Sequence, residues 1–155
     1  MTRVCSSCGV HNRIPARHLA DVGRCGSCKA PLPPAAEPIN ADTTLFDEVV
    51  REARVPVLAD FWASWCGPCR AVAPEVEAVA REMAGHALIL KVDTEAQRQL
   101  AARFRIQSIP TFIVFREGRP VFQQTGAVPR HEMRRWLETA SDSAASSSAA
   151  AHSNV

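Results

Sequence analysis

Six cysteines stand in this chain, and all six fall into Cys-x-x-Cys pairs: Cys5 and Cys8, Cys25 and Cys28, Cys66 and Cys69. Thiols at that spacing either hold a metal ion or exchange electrons. The first two pairs are separated by sixteen residues, within the four-cysteine zinc-ribbon range. Each pair supplies two thiolates from one tight turn, and together Cys5, Cys8, Cys25 and Cys28 complete the tetrahedron that zinc prefers. Four thiolates leave no open coordination position, so one zinc ion there would be structural, and oxidation of any ligand would eject it. His11 and His18 are then surplus as ligands and read as surface residues. Residues 1–30 are too few to stabilise themselves by burial, and metal binding supplies the missing free energy. Two further redox pairs, or two reversible disulfides, remain the alternative reading of these four thiols.

The third pair has different surroundings. Cys66 follows the apolar run VPVLADFW (55–62) and opens a long amphipathic stretch. A thiolate at a helix N-terminus faces unpaired backbone N–H groups and the positive end of the helix dipole, and both favour the charged form. Cys69 lies one turn on, close enough to close a disulfide. Gly67 and Pro68 constrain the loop, and a proline at a helix start loses no needed hydrogen bond. The expected cycle is attack of Cys66 on a substrate disulfide, a mixed disulfide, and resolution by Cys69.

The elements that must position these pairs are legible in outline. The chain has 155 residues, 46% hydrophobic and 22% charged, enough for one full core and a small appendage. Residues 1–30 form the expected zinc-binding module. Residues 31–39 form a Pro-rich linker, with four prolines in the eight residues PLPPAAEP. Residues 40–140 form the main domain, and residues 141–155, rich in Ser and Ala, are expected to stay disordered. In the main domain, Phe46, Val49, Val50 and Ala53 mark a helix face with Asp42, Thr43 or Thr44 as its cap. VPVLADFW and ALILKVD (87–93) read as strands covered on both faces. Val72, Ala73, Val76, Val79, Ala80 and Met83 follow helical spacing, with Pro74 inside. Residues 95–103 read as a short helix. TFIVF and PVFQQT flank Glu117-Gly118 as an antiparallel hairpin, and a last helix starts near Pro129. The order αβαβαββα implies an α/β fold, a mixed sheet with helices on both faces.

ADFWASWCGPCRAVAP (59–74), with SIPT (108–111) and TGA (125–127), resembles the active-site segment and two substrate-facing loops of the thioredoxin family. The resemblance covers roughly residues 40–140 and implies a thioredoxin fold and a protein-disulfide reductase with a redox-active Cys66–Cys69 disulfide. MTRVCSSCGVHNRIP and RCGSCKAPL resemble the N-terminal module of the zinc-carrying bacterial thioredoxins of the thioredoxin 2 type. Asp60, an acid inside an apolar run, is costly if buried without a partner, though a water-exposed strand-edge acid is equally compatible with the residues alone. The resemblance makes it the buried aspartate that exchanges protons with Cys69, and Lys91 the lysine near it. It also implies a cis Ile109–Pro110 bond beside the cysteines, with the Ile109 backbone pairing to an extended substrate. Trp65 next to the nucleophile and Gly126 in the last loop are expected substrate contacts.

Net charge is +2, but residues 1–30 carry five basic side chains against one acid, while 40–140 carry thirteen of each. Four thiolates around zinc contribute about −2, and the module has no Phe, Trp or Tyr, which argues against nucleic acid. The Gly67-Pro68 dipeptide disfavours an oxidant or isomerase. The N-terminus lacks an apolar signal core, and no stretch reaches the ~20 apolar residues of a membrane span. The expectation is a cytoplasmic monomer that acts on disulfide-containing client proteins and is recharged by thioredoxin reductase.

Overall fold

The computed structural model describes residues 1–152, with side chains described through Asp142. Two small antiparallel ladders come first: β1 (Thr2–Val4) pairs with β2 (His11–Arg13), and β3 (Gly23–Arg24) with β4 (Pro31–Leu32). Each ladder closes over a cysteine pair with the same turn. Cys5 N–H donates to the Val10 carbonyl at 2.9 Å and Gly9 N–H to the Cys5 carbonyl at 2.8 Å; Cys25 N–H donates to Ala30 at 2.8 Å and Lys29 N–H to Cys25 at 3.0 Å. Gly9 (φ 77°) and Lys29 (φ 66°) occupy the same left-handed position in the two turns. Lysine pays a steric penalty there that glycine avoids.

The main sheet has five strands in the order β5 (Ile39–Asn40), β7 (Leu88–Asp93), β6 (Val57–Trp62), β8 (Thr111–Arg116) and β9 (Arg119–Thr125). The first three run parallel, and β8 and β9 are antiparallel to their neighbours. Side-chain alternation sends Val57, Ala59, Phe61, Leu90 and Ile113 to one face, where α1 (Thr43–Glu52) and α3 (Arg98–Arg103) supply Phe46, Val49 and Leu100. Leu58, Ile89, Phe112 and Val114 go to the other, under α2 (Gly67–Glu82) and α4 (Arg130–His152) with Val72, Val76, Met133 and Leu137. Both faces of the three central strands β7, β6 and β8 are covered, which explains why they are apolar apart from Asp60, Lys91 and their ends. Asp42 caps α1 by accepting the Leu45 N–H at 2.8 Å. Glu117 (φ 54°) and Gly118 (φ 79°) make the β8–β9 turn, both residues left-handed as a two-residue hairpin of matching twist requires.

Three features differ from the sequence reading. The element order is βαβαβαββα, because β5 adds a parallel edge strand of only two residues, too short to show a period. The Pro-rich segment 31–39 is not a free tether: Leu32 and Ile39 are buried, and Ala35 N–H donates to the Leu19 carbonyl at 2.9 Å. Finally, α4 continues to His152 through residues 141–152, where disorder is expected, while 153–155 lie outside the described residues. The low apolar content that argues against packing does not argue against helix. Alanine has the highest helix propensity, and extending an already docked helix avoids the nucleation cost.

The first module is built into the second. A 3₁₀ turn at Ala16–His18, between the two cysteine pairs, places Ala16 and Leu19 in the same apolar cluster as Phe46 and Val49. The Arg3 guanidinium donates to the carbonyls of Leu19 (3.0 Å) and Leu32 (3.5 Å), fastening β1 to this junction. Leu19 is 2% exposed. Leu19→Ala should therefore lower the unfolding free energy of the whole chain by about 2–5 kcal/mol in denaturant titration. An unchanged midpoint for the main domain would mean that the module hangs loosely.

Candidate active site and candidate metal centre

Strand β6 ends at Trp62 and α2 begins at Gly67, so the intervening turn carries Cys66 out at the carboxyl end of a central strand. Cys66 is the N-cap of α2, its Sγ accepting the Cys69 N–H at 3.2 Å, and Pro68 occupies the first turn where no N–H is needed. The two cysteines are disulfide-bonded, with Cα atoms 5.2 Å apart. Both are nearly buried, at 4% and 5% exposure, in a small cluster with Ala63, Trp62 and Ile109. The Cys66 sulfur lies 3.7 Å from the Ile109 carbonyl oxygen, and the Ile109–Pro110 bond is cis. Gly126, left-handed at φ 103°, donates its N–H to the Pro110 carbonyl at 2.8 Å. Three segments far apart in sequence thus meet at one rim.

Trp65 stands above this rim, 65% exposed, with its indole N–H on Glu95 Oε1 at 3.1 Å. Sequence reasoning did not find Glu95. Its available signal is Asp93, whose Oδ1 accepts the Glu95 and Ala96 N–H groups at 2.9 and 3.4 Å and so turns the chain at the end of β7.

Asp60 is 2% exposed on β6, on the Leu58 face that α2 covers, and its Oδ1 has no hydrogen-bond partner among the described residues. Burial pushes its pKa from 3.8 up to about 7, with the Lys91 charge opposing that rise. Lys91 sits beside it in register on β7, yet its ammonium lies over the Trp62 ring, 4.5 Å from the centroid. The lysine therefore tempers the carboxyl without forming an ion pair with it.

At the other end of the chain, the sulfurs of Cys5, Cys8, Cys25 and Cys28 all lie within 4.8 Å of one another. Cys5 to Cys28 and Cys8 to Cys25 are each 3.6 Å. A tetrahedron with zinc–sulfur bonds of about 2.3 Å has edges near 3.8 Å, so the four thiols fit that ion. The Cys28 and Ser27 backbone N–H groups, with the Asn12 amide, draw the Cys25 pKa down to about 6, toward the thiolate that a metal needs. His18 instead pairs with Asp21 at 2.7 Å on the surface, and His11 is exposed.

A mixed sheet flanked by two helix pairs, with a dithiol capping the helix after a central strand and a cis-proline loop against it, defines the thioredoxin-fold thiol-disulfide oxidoreductases. A family profile described as Thioredoxin matches residues 37–139, and one described as Thioredoxin 2, N-terminal, matches residues 4–30. Thioredoxin C-3 of Corynebacterium nephridii is 38% identical over 138 residues, spanning 89% of this chain and 94% of its own. Thioredoxin 1 of Nostoc sp. is 44% identical over 97 residues, spanning 63% and 90%. The solved structure of a mutant thioredoxin from Halobacterium salinarum superposes with a TM-score of 0.64 at 30% identity, covering 69% of this chain and 93% of that one. The chain belongs to the thioredoxin family, in its zinc-ribbon-bearing thioredoxin 2 form, and is a protein-disulfide oxidoreductase working through Cys66 and Cys69.

Proposed function

We propose that Cys66 is the nucleophile, Cys69 the resolving thiol, Asp60 the proton acceptor for Cys69, and Lys91 the charge that tempers Asp60. The observation that carries this reading is the Cys66 sulfur at the α2 N-cap, accepting a backbone N–H at 3.2 Å in a position that stabilises a thiolate. In the reduced enzyme the Cys66 thiolate attacks one sulfur of a client disulfide, and the other client sulfur leaves as a thiolate. Asp60 takes the Cys69 proton; Cys69 then attacks the mixed disulfide, and the client leaves with both sulfurs reduced. Trp65, Gly67, Pro68 and Gly126 form the surface on which the client lies, and the Ile109 backbone pairs with its extended chain beside Pro110. All of these residues lie in one copy of the chain, so the redox site needs no second copy to be complete, and the protein is read as acting as a monomer.

The product is the Cys66–Cys69 disulfide, so each turnover draws two electrons from outside. Thioredoxin reductase is the donor that the family membership supports, and clients are proteins with accessible disulfides. The dedication of all six cysteines to a ligand set and a redox pair favours a reducing compartment, the cytoplasm. Among the described residues no helix is long and apolar enough to cross a membrane.

Residues 1–30 act as a structural zinc module held by Cys5, Cys8, Cys25 and Cys28, joined by 31–39 to the catalytic domain 40–140. Bound there, the ion supplies a crosslink between the two cysteine turns and takes no part in electron transfer. The test is metal content together with insulin-disulfide reduction. Cys5→Ser should lose the bound zinc equivalent and lower the melting temperature while keeping turnover at room temperature within a few-fold, whereas Cys66→Ser should keep the metal and lose turnover. Retained zinc in Cys5→Ser, or loss of turnover in step with the metal, would reverse this division of labour.

A further inference from the structure

Asn12 was not among the residues that the sequence singled out, yet its side chain joins the two cysteine turns. It sits on β2 opposite Arg3 of β1, in the ladder that carries Cys5 and Cys8. Its Oδ1 accepts the Gly26 N–H at 2.9 Å, reaching into the turn of the other pair. Because Gly26 N–H can only donate, the amide orientation is fixed, and the Nδ2 hydrogens must point the other way. That nitrogen donates to the Cys25 sulfur at 3.5 Å and to the Val10 carbonyl at 3.2 Å. Cys25, fully buried, also receives the Ser27 N–H at 3.4 Å. Among the described residues, Asn12 is the one non-cysteine side chain that hydrogen-bonds a sulfur of the cluster.

We propose that Asn12 is a positioning residue for the four-thiolate site, its amide clamping the Cys25 turn onto the β1–β2 hairpin and withdrawing charge from the Cys25 sulfur, so that it governs how firmly the ion is retained. The assignment rests on the reading of this cluster as a zinc site. Four thiolates around one divalent ion leave a net charge of about −2, and N–H donors to sulfur spread that charge where burial of Cys5 and Cys25 keeps water away from it. Removing such outer partners typically weakens metal retention by about 10–100-fold.

The experiment uses the full chain loaded with Co²⁺, read by the sulfur-to-cobalt charge-transfer band and by transfer of the metal to a chromogenic chelator. Asn12→Asp keeps an acceptor for Gly26 N–H but replaces the donor to sulfur with a carboxylate; Asn12→Ala removes both contacts. Both should release the metal about 10–100-fold faster, with the band moved to lower energy, because a thiolate without its N–H donor gives up charge more readily. One bound Co²⁺ per chain would show that the cysteine module is folded in both variants, and unchanged reductase turnover that the catalytic domain is. Faster release with the band unmoved would reduce Asn12 to a structural tie and overturn the electronic part of the assignment. One bound Co²⁺ with wild-type release and spectrum in Asn12→Asp would overturn it altogether while leaving the metal site standing. A wild-type chain that takes up no Co²⁺ would overturn the metal reading and this assignment together.

Discussion

Cys66→Ser reduces insulin disulfides at least about a thousand-fold more slowly than the wild type, because a serine hydroxyl at the α2 N-cap is neither ionised at neutral pH nor able to form a disulfide. The helix end that stabilises a thiolate has nothing comparable to act on in serine. Cys69→Ser should fail differently. Its Cys66 still attacks, so a mixed disulfide with the client accumulates and is visible as a higher-mass band on non-reducing gels. Equal turnover in Cys66→Ser, or a Cys69→Ser chain that traps no client, would assign the roles wrongly. The distinction follows from the geometry: one cysteine caps the helix, and the other lies inside its first turn.

Asp60→Asn should make the protein more stable and slower at once. The Asp60 pKa is about 7 in the folded chain against 3.8 ordinarily. The folded state therefore holds a proton that the unfolded state has released, and stability must fall as pH rises from about 4 to about 7. At 1.36 kcal/mol per unit the full penalty is about 4 kcal/mol, present above pH 7 and absent below pH 4. Asparagine imitates the neutral acid, so the variant gains about that amount at pH 8 and nothing at pH 3, as guanidinium titrations at the two pH values would show. Catalysis moves the other way. Wild-type turnover should climb through an inflection near pH 7 as the carboxylate becomes available to Cys69. The variant should lose that inflection and run about ten- to a hundred-fold slower, at the low end of what a positioned base contributes. A stability difference that does not vary with pH would place Asp60 in contact with water.

Much of the site was readable in advance because its chemistry is written in short, local patterns. The third cysteine pair announces its role by following a continuous apolar run and opening a helix, and the first two by their mutual spacing. Asp60 is conspicuous as an acid within VLADFW, although only burial on β6 decides that its carboxyl is shielded. What escaped has no local signature. Two-residue β5 is a strand only because β7 offers it a parallel edge. The reach of Glu95 to Trp65 crosses thirty positions, and that of Asn12 to Gly26 crosses fourteen. The segment 31–39 reads as a spacer because its prolines dictate extension, but extension does not say whether the extended chain lies against anything. The helical course of 141–152 has the converse reason: poverty in large apolar groups argues against packing but not against alanine's preference for the helical backbone.

Leu19 and Ala16 come from the four-cysteine ribbon half yet complete the hydrophobic interior of the electron-trading half. The two halves are thus not interchangeable cassettes. A recombination event that cut between them would strip one partner of its filling and leave the other with greasy side chains and nowhere to put them.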